Sequence, residues 1–180
     1  MREYYELTNM TGNTNSYFVS DPSHQISNAV QDLLIQECMM SQVNNILSAH
    51  VNLNNYMNTI LPKLENIYLQ DHLISYMDNT KFNTAVLKNF IGKENQDLTS
   101  IPYTQRHNHK SWKKDLSYVR AMQIMTGYIL SFYTPAENLA AKLNYSETYN
   151  SIKNLHVNTQ LLHNNITKIS VQLINNKFIN

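Results

Sequence analysis

Apolar residues recur three and four positions apart along most of this chain, which is the spacing of one face of an α-helix. The stripe is nearly continuous from Ile26 to Leu61, and the pair Asp21–Pro22 before it is typical of a helix start. Pro62 interrupts the stripe and predicts either a kink or a second helix, which would run to about Met77.

Polar residues at helix-capping positions divide the rest of the chain. Thr80 predicts the start of a short helix, and Ser111 the start of a longer one. The run Thr134-Pro135-Ala136-Glu137 has the form of a capping box, so it predicts a further short helix. Ser146 begins the last helix. The pattern therefore predicts an all-α bundle of five or six helices.

The last helix carries the most regular seam, with apolar residues at alternating steps of three and four. Such a seam fits packing within the subunit or between subunits, and the sequence leaves both open. If it is between subunits, the self-association residues of this helix are Ile152, Leu155, Leu162, Ile166, Ile169 and Leu173.

Two segments stand outside the helical pattern. Residues 1–20 are polar, Tyr-rich and aperiodic, and we expect an extended N-terminal arm ahead of one helical domain at 21–180. Residues 93–110 are an internal connector of that domain. The arm offers aromatic residues for contact with a neighbouring subunit, namely Tyr4, Tyr5, Tyr17 and Phe18.

Composition narrows the possible chemistry. The 180 residues are 42% hydrophobic but only 15% charged, with a net charge of +1, so no strong overall field attracts nucleic acid or anionic membrane. Asparagine (26) and glutamine (10) outnumber the 13 acidic residues, and this composition indicates an AT-rich genome, such as that of a phage, a virus or a small AT-rich cell. Only three glycines occur, far apart, which excludes glycine-rich phosphate loops.

Catalytic and metal motifs are not apparent. No Glu-x-x-His pair occurs, so a di-iron bundle is disfavoured. The single cysteine, Cys38, excludes an intramolecular disulfide and is expected to be a buried, inert thiol. Acidic residues form no cluster. The sequence therefore predicts a protein that is not an enzyme and that has no cofactor or metal.

Targeting signals are not apparent either. The polar N-terminus lacks the apolar core of a signal peptide, and no run of 18 apolar residues occurs. We expect an intracellular or virion protein that is not secreted and does not insert in a membrane.

One segment has a local positive charge. Its Lys and Arg side chains could neutralise phosphates, and Trp112 could stack on a base, although Trp112 also fits the core stripe of its helix. The candidate contact residues for nucleic acid or another partner are Arg106, His107, His109, Lys110, Lys113, Lys114 and Arg120.

These observations favour a structural or assembly protein that acts through protein–protein contacts, as a component of a phage or virus particle. Its partners would be copies of itself, other proteins of the assembly, or both. The first alternative is a small helical viral or phage regulator or inhibitor that binds a host protein. The second is a nucleic-acid-binding protein that uses residues 106–114.

Overall fold

Four long helices account for nearly all of the chain that the structure describes. The computed structural model describes residues 22–91 and 111–178, and no strand occurs within them. The arm at 1–20 and the connector at 93–110 lie outside the described residues. The helices are α1 (Pro22–Ile60), α2 (Ile67–Ile91), α3 (Ser111–Lys142) and α4 (Ser146–Phe178), with a 3-10 turn at Leu61–Lys63.

The all-α prediction is confirmed, but the prediction of five or six helices is wrong because two expected breaks lie inside continuous helices. Thr80 does not cap a new helix; its hydroxyl donates to the Tyr76 carbonyl one turn back, within α2. Pro135 lies inside α3, so the capping-box sequence does not end that helix. Packing of an apolar face on the bundle stabilises a helix through such local breaks.

Contacts between distant residues define the helix directions. His50 of α1 lies beside Tyr133 of α3, while the end of the α1–α2 connection meets Asp115 near the start of α3. α1 and α3 are therefore antiparallel. α3 and α4 are antiparallel too, since they form a helical hairpin that turns at Leu143–Tyr145. α1 consequently runs parallel to α4.

The core lies among all four helices, and the most extensive contacts are those of α1 with α2 and α3 and those of α3 with α4. α2 and α4 make few contacts with each other, so the bundle is open along that side. The largest fully buried side chains include Ile46, Leu47, Leu53, Met57, Leu73, Leu87, Met122, Ile129, Tyr133, Ile152 and Ile166.

The N-terminal part of α1 extends beyond the rest of the described bundle. His50 of α1, Tyr133 of α3 and Thr159 of α4 lie side by side and mark one level of the bundle. From this level α1 continues for 28 residues toward its N-terminus, whereas in the same direction α3 continues for only nine residues and α4 for only 13. Residues 28–38 are accordingly exposed except for half-buried Ile35, and Met39, which follows them, is buried. We call residues 28–38 the α1 tip.

Candidate functional site

A buried polar network joins three helices at mid-bundle. The ring of His50 on α1 hydrogen-bonds through Nε2 to the hydroxyl of Tyr133 on α3, at 2.9 Å. The hydroxyl of Thr159 on α4 lies 3.2 Å from the Tyr133 oxygen, to which it donates, and 3.4 Å from His50 Nε2. All three residues are fully buried. The network therefore fixes α1, α3 and α4 at one level of the bundle.

A second pair extends the network toward the surface between α3 and α4. His156 Nδ1 lies 2.6 Å from a carboxylate oxygen of Glu137, and both side chains are mostly buried. The His156 ring stacks on Tyr133, with centroids 5.1 Å apart and nearly parallel planes. Glu137 thus positions His156, and His156 covers one face of the buried phenol.

Burial determines the protonation states within this network. It lowers the pKa of His50 to about 4, because a charged imidazole would lose its hydration inside the core. Burial also raises the pKa of Tyr133, while the hydrogen bond from Thr159 partly opposes that rise. Near neutral pH both groups are uncharged.

The three residues of the network have no surface exposed to solvent. The groove between α2 and α4, described below, is not lined by His50, Tyr133 or Thr159. The Nδ1 atom of His50 is buried and has no hydrogen-bond partner among the described residues, which carries a cost of about 1–3 kcal/mol. Polar layers of this kind specify helix register. We infer that this layer selects the alignment of α1 with the α3–α4 hairpin.

A second polar contact orders the start of α2. The Asp115 carboxylate on α3 accepts hydrogen bonds from the backbone N–H groups of Glu65 (3.5 Å) and Asn66 (3.2 Å). The Asn66 side chain in turn accepts from the Leu69 N–H, so it is the N-cap of α2. Burial raises the pKa of Asp115, and the two N–H bonds and the nearby Lys114 oppose the rise.

The predicted basic contact residues are only partly described. Arg106, His107, His109 and Lys110 lie outside the described residues. Lys113 and Arg120 are exposed and lie seven positions apart, so they share one face of α3. Lys114 is half-buried and lies close enough to Asp115 to lower its pKa.

The predicted self-association residues have different surroundings. The α4 seam packs within the subunit, which is one of the two roles that the sequence left open. The chain's own core buries five of its residues, namely Ile152, Leu155, Leu162, Ile166 and Ile169, and partly buries Leu173. The four aromatic residues of the arm, Tyr4, Tyr5, Tyr17 and Phe18, lie outside the described residues.

Exposed apolar residues form a stripe on the α1 tip instead. Val30, Leu33 and Leu34 are 53%, 61% and 57% exposed. At 100° per residue they share one face of α1 with Glu37, and this face is opposite the one that carries Met39 and the rest of the α1 core stripe. α1 therefore has two apolar faces, and only one is used by the described bundle.

Cys38, at the end of the tip, is exposed, so the prediction of a buried thiol is wrong. Cys38 directly precedes the buried Met39 and lies on a different side of α1 from the core stripe that Met39 belongs to.

A second exposed apolar stripe runs along α4, on the side opposite its core seam. Val157, Leu161 and Val171 are each about half exposed, and Lys153 and Lys168 lie on the same side of the helix. We call these five residues the α4 outer face. The Lys153 ammonium lies 5.4 Å from the centre of the Tyr149 ring.

An open groove of about 260 Å³ runs between this face and α2. Amide side chains dominate its polar lining, with Asn79 on α2 and Asn158 and Asn165 on α4. Leu161 lies on its rim and Tyr76 and Leu162 at its base. The groove exists because α2 and α4 make so few direct contacts.

Two further observations concern membrane and metal chemistry. None of the four described helices combines the length and apolar character needed to cross a bilayer. Within residues 22–91 and 111–178, no three or more His, Cys, Asp or Glu side chains converge as a metal site would require.

Comparison with family models, with curated proteins and with solved structures finds no match for this chain.

Proposed function

We propose that this protein acts through protein–protein contacts, as a self-associating component of an assembly. The observation that carries the proposal is the exposed stripe of Val30, Leu33 and Leu34 on the α1 tip. This helix extends beyond its own bundle and has apolar residues on the face opposite its core stripe. The free energy of the system falls when another surface covers those residues.

The surface composition supports the same proposal. The chain has 36 amide side chains against 27 charged ones, and the net charge is +1, so copies of the chain repel one another weakly. Exposed aromatic residues such as Tyr68, Tyr128 and Phe82 offer contact area that is apolar and conformationally restricted. The AT-rich character of the composition is the basis for placing the assembly in a phage or virus particle.

Sedimentation velocity over a wide concentration range tests the proposal. We expect species larger than the 21.0 kDa monomer to accumulate as the concentration rises. A strict monomer at high micromolar concentration would overturn self-association. A monomer that forms a one-to-one complex with a host protein would favour the regulator alternative.

A further inference from the structure

We infer that the α1 tip of one copy docks on the α4 outer face of a second copy. The inference rests on the proposed function and names the two surfaces that meet. Both surfaces are exposed apolar helix faces, and each lies opposite the core stripe of its own helix. An amphipathic helix laid along another helix buries such residues at spacings of three and four.

Charge complementarity identifies the partner surface. α1 carries two acidic residues, Asp32 and Glu37, and no Lys or Arg over its whole length. α4 carries three lysines and, beyond Glu147 in its first turn, no acidic residue. Glu37 lies in the apolar stripe of the tip. The α4 outer face contains Lys153 and Lys168. The two surfaces therefore have opposite charges beside their apolar residues.

The spacing of residues fits this pairing. Val30 precedes Glu37 by seven residues, and Leu161 precedes Lys168 by seven. A parallel alignment therefore places Val30 on Leu161 and Glu37 beside Lys168. An antiparallel alignment keeps Val30 on Leu161 and places Glu37 beside Lys153. In both directions Glu37 meets a lysine, and the tip lies along the rim of the amide-lined groove.

The apolar residues of the tip cannot reach those of the α4 outer face in their own chain. α1 and α4 run parallel, and His50 lies level with Thr159. Leu33 lies 17 residues before His50, or about 25 Å along the axis. Leu161 lies two residues beyond Thr159, in the opposite direction. The contact therefore requires a second copy.

Complementation between two blocked variants tests the inference. The tip variant carries Leu33→Gln and Leu34→Gln, and the face variant carries Val157→Gln and Leu161→Gln. All four side chains are about half exposed, so folding should be retained, as circular dichroism can check. The matched control is Ile124→Gln, which changes an equally exposed residue on α3.

We expect each blocked variant alone to associate at least about tenfold more weakly than the wild type, because its apolar contact is lost. Mixed at equal concentrations, the two should form a heterodimer, since the intact α4 outer face of the tip variant still accepts the intact tip of the face variant. Ile124→Gln should associate like the wild type.

Charge reversal provides an independent arm. One variant carries Glu37→Lys, and a second carries both Lys153→Glu and Lys168→Glu. Each variant by itself should associate more weakly than the wild type, and mixing the two should restore association. Raising the salt concentration should weaken wild-type association.

Several outcomes would overturn the inference while self-association stands. If the tip variant is monomeric but the face variant associates normally, the tips pair with each other. If neither variant differs from an associating wild type, other surfaces are used. A monomeric wild type whose tip variant is less stable to urea would mean that the chain covers its own tip, and both the inference and self-association would fail.

Discussion

The imidazole of His50 and the phenol of Tyr133 are 83 residues apart in sequence and 2.9 Å apart in the folded chain, where they form a buried hydrogen bond between α1 and α3. Thr159 of α4 completes the contact. Sliding α1 along the α3–α4 hairpin would break its contacts with Tyr133 and Thr159, and it would leave buried polar atoms without partners.

Stability should fall in mild acid because His50 is neutral when folded. Its pKa is about 4 in the folded chain and about 6.5 when unfolded, so the unfolded state takes up the proton first. The stability is fully present above pH 6.5 and is lost as the pH falls toward 4, by about 3 kcal/mol in all. Urea unfolding at several pH values measures this loss. His50→Gln should remove this part of the pH dependence, and an unchanged profile in that variant would contradict the assignment.

Tyr133→Phe should lower the free energy of unfolding by about 1–3 kcal/mol, because His50 and Thr159 lose their shared partner inside the core while the aromatic packing is kept. Tyr128→Phe is the matched control, since Tyr128 is on the same helix but nearly half exposed. That control should change stability by less than about 0.5 kcal/mol. Equal effects of the two substitutions would mean that the buried bond contributes nothing.

Asp115→Ala should destabilise the protein by about 1–2 kcal/mol, because two backbone N–H groups at the start of α2 lose their acceptor. Native-state hydrogen exchange should show the loss first in the amides of Glu65 and Asn66. Asp71→Ala, at an exposed position of α2, is the control and should leave those amides protected. Unchanged exchange in the Asp115 variant would count against the capping role.

Gly127→Ala should stabilise the protein by about 0.5–1 kcal/mol, since alanine has the higher helix propensity. A Cβ atom at Gly127 would lie 3.8 Å from the nearest atom of His163, which is an ordinary van der Waals distance. Ala85→Gly at an exposed position of α2 should have the opposite effect of similar size. Thermal unfolding measures both, and a lower midpoint for Gly127→Ala would show that α3 and α4 cannot adjust there.

The sequence predicts where helices begin better than where they continue. α1, α3 and α4 start at Pro22, Ser111 and Ser146, as the capping signals indicate. Thr80 and Pro135 give equally strong local signals, yet both lie within helices. The difference is tertiary: the surrounding residues of α2 and α3 are buried against α1 and α4, and that burial outweighs a local break.

The buried network could not be predicted from local patterns, because its members come from three helices. One signal was available, since His50 falls in step with the buried stripe of Ile46, Leu53 and Met57. A histidine at such a position implies a polar partner in the core, but only the fold identifies Tyr133. The exposure of Leu33 and Leu34 could not be predicted for a similar reason. Their spacing is that of a buried helix face, and they are exposed only because α1 is longer than the helices beside it.

The tight turn at Leu143–Tyr145, in which Asn144 adopts a left-handed conformation with a φ of 57°, has a kinetic consequence. It joins α3 directly to α4, so their contacts need only a short loop to close and can form early in folding. α1 is far from this hairpin in the sequence, so its docking has to close a long loop. His50 can contact both Tyr133 and Thr159 only after the hairpin has formed. We therefore expect a refolding chain to pass its slowest barrier when α1 docks.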